Sequence, residues 1–216
     1  MNSLLLTDGY KLSHPPQYPQ GTTLVFSNFT PRSDDRAPMQ CKGGVVVFGT
    51  QYAFQFIHEH FARNFFNSAD RIIWSENPKI LEGLKKRSLD YAKQEFEMYL
   101  GTEYDMSHFE ALYDMGYLPV EVRALDEGTY CPIRIPMLSI HNTSSDFFWL
   151  PNFLETIISN LLWKPMTSAT IALAYKKKLV NWAVKTTGSA DGVDFQAHDF
   201  SMRGLDSIDA TMSSGL

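Results

Sequence analysis

At 216 residues with 44% apolar content, the chain can bury the core of one large domain or two small ones. Its 19 Lys and Arg against 24 Asp and Glu give a net charge of −5, which excludes a global basic field for nucleic acid or an anionic membrane, so any bound anion is held locally.

Residues 22–29 are rich in β-branched and aromatic side chains and predict a strand. The polar, proline-bracketed PRSDDRAPMQ at 31–40 predicts a loop. A turn through the glycines of KGGVVVFG then leads to a short strand at 45–48, and this stretch matches neither GxxxxGK[ST] nor GxGxxG. Tyr52, Phe56, Phe61 and Phe65 predict a helix over 50–66. His58 and His60 fall two apart on it, facing different ways, whereas a helical metal pair needs i, i+3 or i+4 spacing, so no metal site is predicted. Residues 75–100 predict mostly helix, with Lys85, Lys86, Arg87, Glu95 and Glu97 in water and Leu81, Leu84, Leu89, Ala92, Phe96 and Tyr99 as the buried stripe. Two or three strands are expected over 119–141, punctuated at Glu127-Gly128, Pro132 and Pro136.

From Asp146 the period changes. Leu150, Phe153, Leu154, Ile157, Ile158 and Leu161 follow helical spacing, and a second helix over 168–187, with a solvated Lys176–Lys178 face, precedes a short strand that ends at Phe200. That strand lies in FQAHDFSMRG, 195–204, and delivers the Phe200 ring and the Arg203 cation to its C-terminal end, where ligands bind in α/β proteins. Adjacent strand residues point to opposite faces, so at most one of His198 and Asp199 meets a ligand. No Gly-x-Ser-x-Gly or Cys/His pairing suggests covalent catalysis, and the catalytic residues are left unassigned. The expected fold class is α/β: an α+β domain over 1–145, then over 146–216 the start of an incomplete β/α barrel. Cys41 and Cys131 form no CxxC or Cys/His cluster, which fits a reduced, cytoplasmic protein. The Leu4–Leu6 run lacks a cationic flank and is too short for a signal core. Pro151, Asn152, Glu155 and Asn160 interrupt the most apolar stretch, so no membrane span is expected.

Six segments in order carry a resemblance: TDGYKLSHPPQYP at 7–19, FSNFTPR at 26–32, VVFGTQY at 46–52, PVEVRALDEG at 119–128, FWLPNFLETI at 148–157 and HDFSMRG at 198–204. Together they make the chain similar to the nicotinamide phosphoribosyltransferases, close relatives of the type II nicotinate enzymes. The resemblance implies phosphoribosyl transfer from phosphoribosyl pyrophosphate to the ring nitrogen of nicotinamide, in a cytoplasmic NAD-salvage homodimer with a shared active site. It implies that Phe200 stacks on the pyridine ring, that Tyr10 covers the other face from the partner subunit, and that Asp8 lines the same pocket. It also implies that Arg203 reaches the carboxamide and phosphate side and that Arg32 crosses the dimer interface to the phosphates, roles that suit a planar, permanently charged guanidinium.

Ser201-Met202 departs from the family's Gly-Tyr beside the ring pocket. The family's chain continues beyond the length seen here, through the rest of the barrel, a histidine phosphorylated during ATP-assisted turnover, a carboxamide-reading acid and Gly-rich phosphate loops. The sites for Mg²⁺ and ATP that the resemblance implies are accordingly expected outside these residues. Residues 213–216 fall inside the helix expected after the HDF strand. The chain then reads as the N-terminal part of such an enzyme, inactive by itself, with a non-catalytic dimerisation or regulatory module as the alternative. Nicotinamide and nicotinate are not separated by these residues.

Overall fold

Short strands alternate with longer helices in the computed structural model, which describes residues 1–215. In chain order they are β1 (Phe26–Phe29), β2 (Gly44–Val46), α1 (Thr50–Asn64), α2 (Ser68–Ile73), α3 (Pro78–Leu100), α4 (Ser107–Met115), β3 (Val120–Ala124), β4 (Tyr130–Pro132), β5 (Leu138–Asn142), α5 (Leu150–Phe153), α6 (Glu155–Thr187) and α7 (Ile208–Gly215). Strands β1, β5 and β3 form one sheet in that order, and β2 pairs with β4. The fold class is α/β, as the sequence predicts.

The chain groups into two compact units, the first made of Met1–Ser27, Ala53–Arg123 and Ser139–Ser159. Its longest helix, α3, starts where the Asn77 side chain accepts the Ile80 N–H and Pro78 occupies the first turn, and it stops at left-handed Gly101 (φ 70°). Between these signals Leu84, Ser88, Leu89, Ala92 and Phe96 are buried. Tyr99 was expected in that stripe and is instead exposed, at the last turn, with its ring laid against Gly9, where a Cβ would come within 2.4 Å. The core of the unit is aromatic. Phe109 of α4 is 1% exposed and packs its ring 5.2 Å from Trp149, 5.3 Å from Phe153 and 5.7 Å from Phe96. Phe65, just past the end of α1, meets Tyr113 edge to face at 5.6 Å.

The second unit comprises Asn28–Tyr52, Ala124–Leu138 and residues from 160 onward. Strands β2 and β4 run antiparallel with Val45 opposite Cys131. Beyond them Val47 N–H donates to Thr129 O (2.9 Å) and Gly128 N–H to Val47 O (2.8 Å). One Glu127 carboxylate oxygen then accepts the Thr50 hydroxyl (2.9 Å) and the Gln51 N–H (3.0 Å), capping the start of α1. Residues 46–51 and 127–129, far apart in sequence, are thus one local structure. Gly44 is required there, because a Cβ would lie 2.5 Å from the Cys131 carbonyl oxygen. Gly44→Ala is expected to destabilise this unit by about 1–3 kcal/mol, the usual cost of overpacking. A urea midpoint equal to that of the parent protein would contradict this.

Two expectations are corrected at the C-terminal side. The helices predicted before and after residue 165 are one 33-residue helix, α6, which carries Pro165 inside it. The ring is accommodated by Gly49, whose φ is 81° and whose Cβ, if present, would be 3.0 Å from Pro165 Cβ. Buried Thr170 further fixes the helix, donating to Met166 O (2.6 Å) and accepting the Val46 N–H (2.9 Å). The strand predicted within 195–204 does not form: 3₁₀ turns at Val193–Phe195 and Ser201–Arg203 flank a segment in which Ala197 takes φ 55°. Among the described residues no strand pairs with that segment, and a lone strand leaves its backbone groups without ladder partners. The helix expected next is α7; Leu216, the last residue assigned to it, lies outside the described residues.

Candidate functional site

Asp8 stands at the entry of a 3₁₀ turn, Gly9–Ser13, and both Asp8 and Tyr10 are exposed. The start of α6 holds this turn. The Thr156 hydroxyl accepts the Asp8 N–H (3.1 Å) and donates to Asp8 Oδ2 (2.7 Å), while the Thr7 hydroxyl donates to Phe153 O (2.9 Å). Lys11, 4% exposed, pairs with Glu155 and places its Nζ 5.3 Å from the Tyr10 ring centroid. The His14 ring tilts against that of Tyr10, the centroids 5.3 Å apart. Asn152 adds a further tie, donating to the Tyr18 hydroxyl (2.5 Å) and accepting from Ser27 (2.9 Å). Segments 7–19 and 148–157 therefore build one rigid platform that presents a carboxylate and an aromatic ring to solvent. Thr156, Glu155 and buried Lys11 are the residues that sequence reasoning missed here; the only available signal was that both segments belong to the resemblance.

The second unit holds Arg32, Phe200 and Arg203. Arg32 is exposed and follows Pro31, whose carbonyl accepts the Arg134 N–H (2.8 Å). The loop beyond it is tied down where Asp34 Oδ2 accepts the Gly43 N–H (2.8 Å). Phe200 is 63% exposed, and the Arg203 guanidinium lies over its ring at 5.1 Å. The two residues are brought together at a 3₁₀ turn, Ser201–Arg203, and not at the end of the strand that the sequence predicts.

The same unit has an open concavity of about 650 Å³, lined along α6 by residues including Lys164, Ile171, Tyr175 and Lys176, and also by His198 and Asp199. The two latter residues share it because their segment is not a strand. Lys164 binds Asp206 (2.9 Å), which holds that carboxyl below its ordinary range, and Lys176 binds Asp194 (2.6 Å). Lys177 packs over Tyr130, its Nζ 5.3 Å from the ring centroid, so two members of the lysine run have partners while remaining exposed. Among the described residues no group of three or more His, Cys, Asp and Glu converges to hold a metal ion. No described helix is long and apolar enough to cross a membrane.

Residues 2–79 match the family model described as "Nicotinamide phosphoribosyltransferase, N-terminal domain". Among curated proteins, the nicotinamide phosphoribosyltransferase of Acinetobacter baylyi is 40% identical over 219 residues, covering 100% of this chain and 41% of the relative. That of Mycoplasma genitalium is 27% identical over 98% of this chain and 46% of its own length. The chain thus spans less than half the length of the curated relatives it matches. Among solved structures, human nicotinic acid phosphoribosyltransferase aligns with a TM-score of 0.51 and 19% identity over 82% of this chain and 28% of that one, a likeness of fold. With six motifs in order and a domain model matched over residues 2–79, this chain is similar along its whole length to the N-terminal part of the nicotinamide phosphoribosyltransferases.

Proposed function

We propose that the chain supplies part of the pyridine and phosphate site of an enzyme making nicotinamide mononucleotide from nicotinamide and phosphoribosyl pyrophosphate in NAD salvage. The observation that carries this reading is the clamped platform: an exposed ring, Tyr10, beside a fixed carboxylate, Asp8, on two family segments joined at the start of α6. A flat, electron-poor pyridine suits an aromatic platform, each stacking contact adding about 0.5–1.5 kcal/mol beyond area burial. In this reading Phe200 stacks on one ring face and Tyr10 covers the other from the second subunit of a cytoplasmic homodimer. Asp8 lines the pocket, Arg203 meets the carboxamide and phosphate side, and Arg32 meets the phosphates as a planar fork. Residues 1–145 form the N-terminal domain and 146–216 open the catalytic one. Phosphoribosyl transfer depends on positioning and on stabilising departing pyrophosphate, and Mg²⁺ and ATP act through groups other than those described here, so this chain alone is inactive.

The test is nicotinamide binding to the purified chain, followed by saturation transfer from protein to ligand. Tyr10→Ala and Phe200→Ala should each weaken binding by about tenfold, from lost stacking and ring burial. Exposed Lys178→Ala should leave it unchanged. Nicotinamide bound equally by all four proteins, or by none, would remove the assignment.

A further inference from the structure

The Asp8 carboxylate occupies an unusual position. An aspartate at the entry of a helical turn ordinarily folds back and accepts a backbone N–H of its own turn. Here Asp8 has the extended backbone of such a cap (φ −70°, ψ 137°) yet makes no capping bond with its side chain. Its Oδ2 takes the Thr156 hydroxyl instead, at 2.7 Å, and its N–H is held by the same oxygen at 3.1 Å. One hydroxyl therefore grips both ends of a single residue across 148 positions of sequence. Thr156 sits on the first turn of α6, and its hydroxyl is fixed by the two hydrogen bonds it makes with Asp8. The turn itself survives without the carboxylate, since Lys11 N–H already donates to the Asp8 carbonyl at 2.9 Å.

We infer that Thr156 is a positioning residue: its hydroxyl competes with the local cap and holds the Asp8 carboxylate outward, beside Tyr10, for a neutral pyridine carboxamide ligand. This rests on the functional reading above for the ligand and on the structure alone for the positioning. Remove the hydroxyl, and the carboxylate returns to the amides of its own turn. The Tyr10 side of the platform remains, because Lys11 and Glu155 hold it independently.

The experiment compares the parent chain with Thr156→Ser, Thr156→Val and Thr156→Ala. Three-bond couplings to Asp8 Cγ report its χ1 rotamer, and a nicotinamide titration reports affinity. Parent and Thr156→Ser should show one shared rotamer. The Val and Ala variants should keep the parent's thermal midpoint within a few degrees, show a changed or averaged rotamer, and bind nicotinamide about tenfold more weakly. Parent-like couplings in the Val and Ala variants would overturn the inference. So would unfolding of both, which would make Thr156 a residue that merely holds the fold. A rotamer change with no nicotinamide binding even by the parent would support the positioning and remove the functional reading instead.

Discussion

Phe109→Ala lowers the stability of the first unit by about 3–5 kcal/mol, the range for emptying a buried aromatic site. The expectation rests on the ring's neighbours: Trp149, Phe153, Phe96 and Tyr104 all lie within 6.4 Å of its centroid, and His108 at 4.1 Å. Those rings come from α3, α4, α5 and the segments that lead into α4 and α5, separate parts of the chain, so they cannot all collapse into the vacated space. Phe109→Leu, which keeps most of the volume, should cost much less. Urea denaturation followed by near-ultraviolet circular dichroism reads this core directly, and a midpoint for Phe109→Ala within error of the parent would show that the cluster is not cooperative.

The second large effect is a dependence on pH that comes from His108. Burial among the same rings pushes its imidazole down to about 4 from an ordinary 6.5, against a weaker opposing pull from Asp105. Its ring stands edge to face with Trp149, the centroids 5.0 Å apart. Below pH 6.5 the unfolded chain takes up a proton that the folded chain refuses until about pH 4. Stability is therefore full above 6.5, falls as the pH drops through this window, and loses about 3 kcal/mol by its lower end. In His108→Phe that slope should vanish while a shallower background from carboxylates remains. Denaturation midpoints at pH 7, 6, 5 and 4 decide it: parallel curves for parent and variant would mean that His108 is not the group responsible.

What the sequence disclosed depended on whether the deciding contact was local. Helix α3 was legible because its signals are consecutive: Asn77 and Pro78 at one end, Gly101 at the other, and an apolar face between. The β2 to β4 region was legible as strands from β-branched composition and turn residues. The strand within 195–204 was misread because strand formation needs a partner, and composition alone does not supply one. The helical spacing over 150–161 and the helix over 168–187 read as separate because no local signal shows that Pro165 between them is accommodated beside Gly49, more than a hundred residues away. For the candidate site, segments 7–19 and 148–157 could be named as resembling a family, but neither contains any mark that Thr156 would grip Asp8 or that Lys11 would be buried. Hydroxyl and ammonium groups look like surface until the fold gives them a partner.

Pro165 also decides how α6 yields under load. A proline brings no amide to the ladder and crowds the carbonyl four residues before it, so the helix loses a rung at Leu161 while the turns on either side keep theirs. Flexure concentrates at such a point, because bending elsewhere would stretch intact bonds. The compliance is also directional. On one side the ring faces Gly49, so a bend toward that glycine meets backbone, whereas a bend away meets no such stop from it. Stiffness in this long helix is a property with an orientation, set by one ring and one missing methyl.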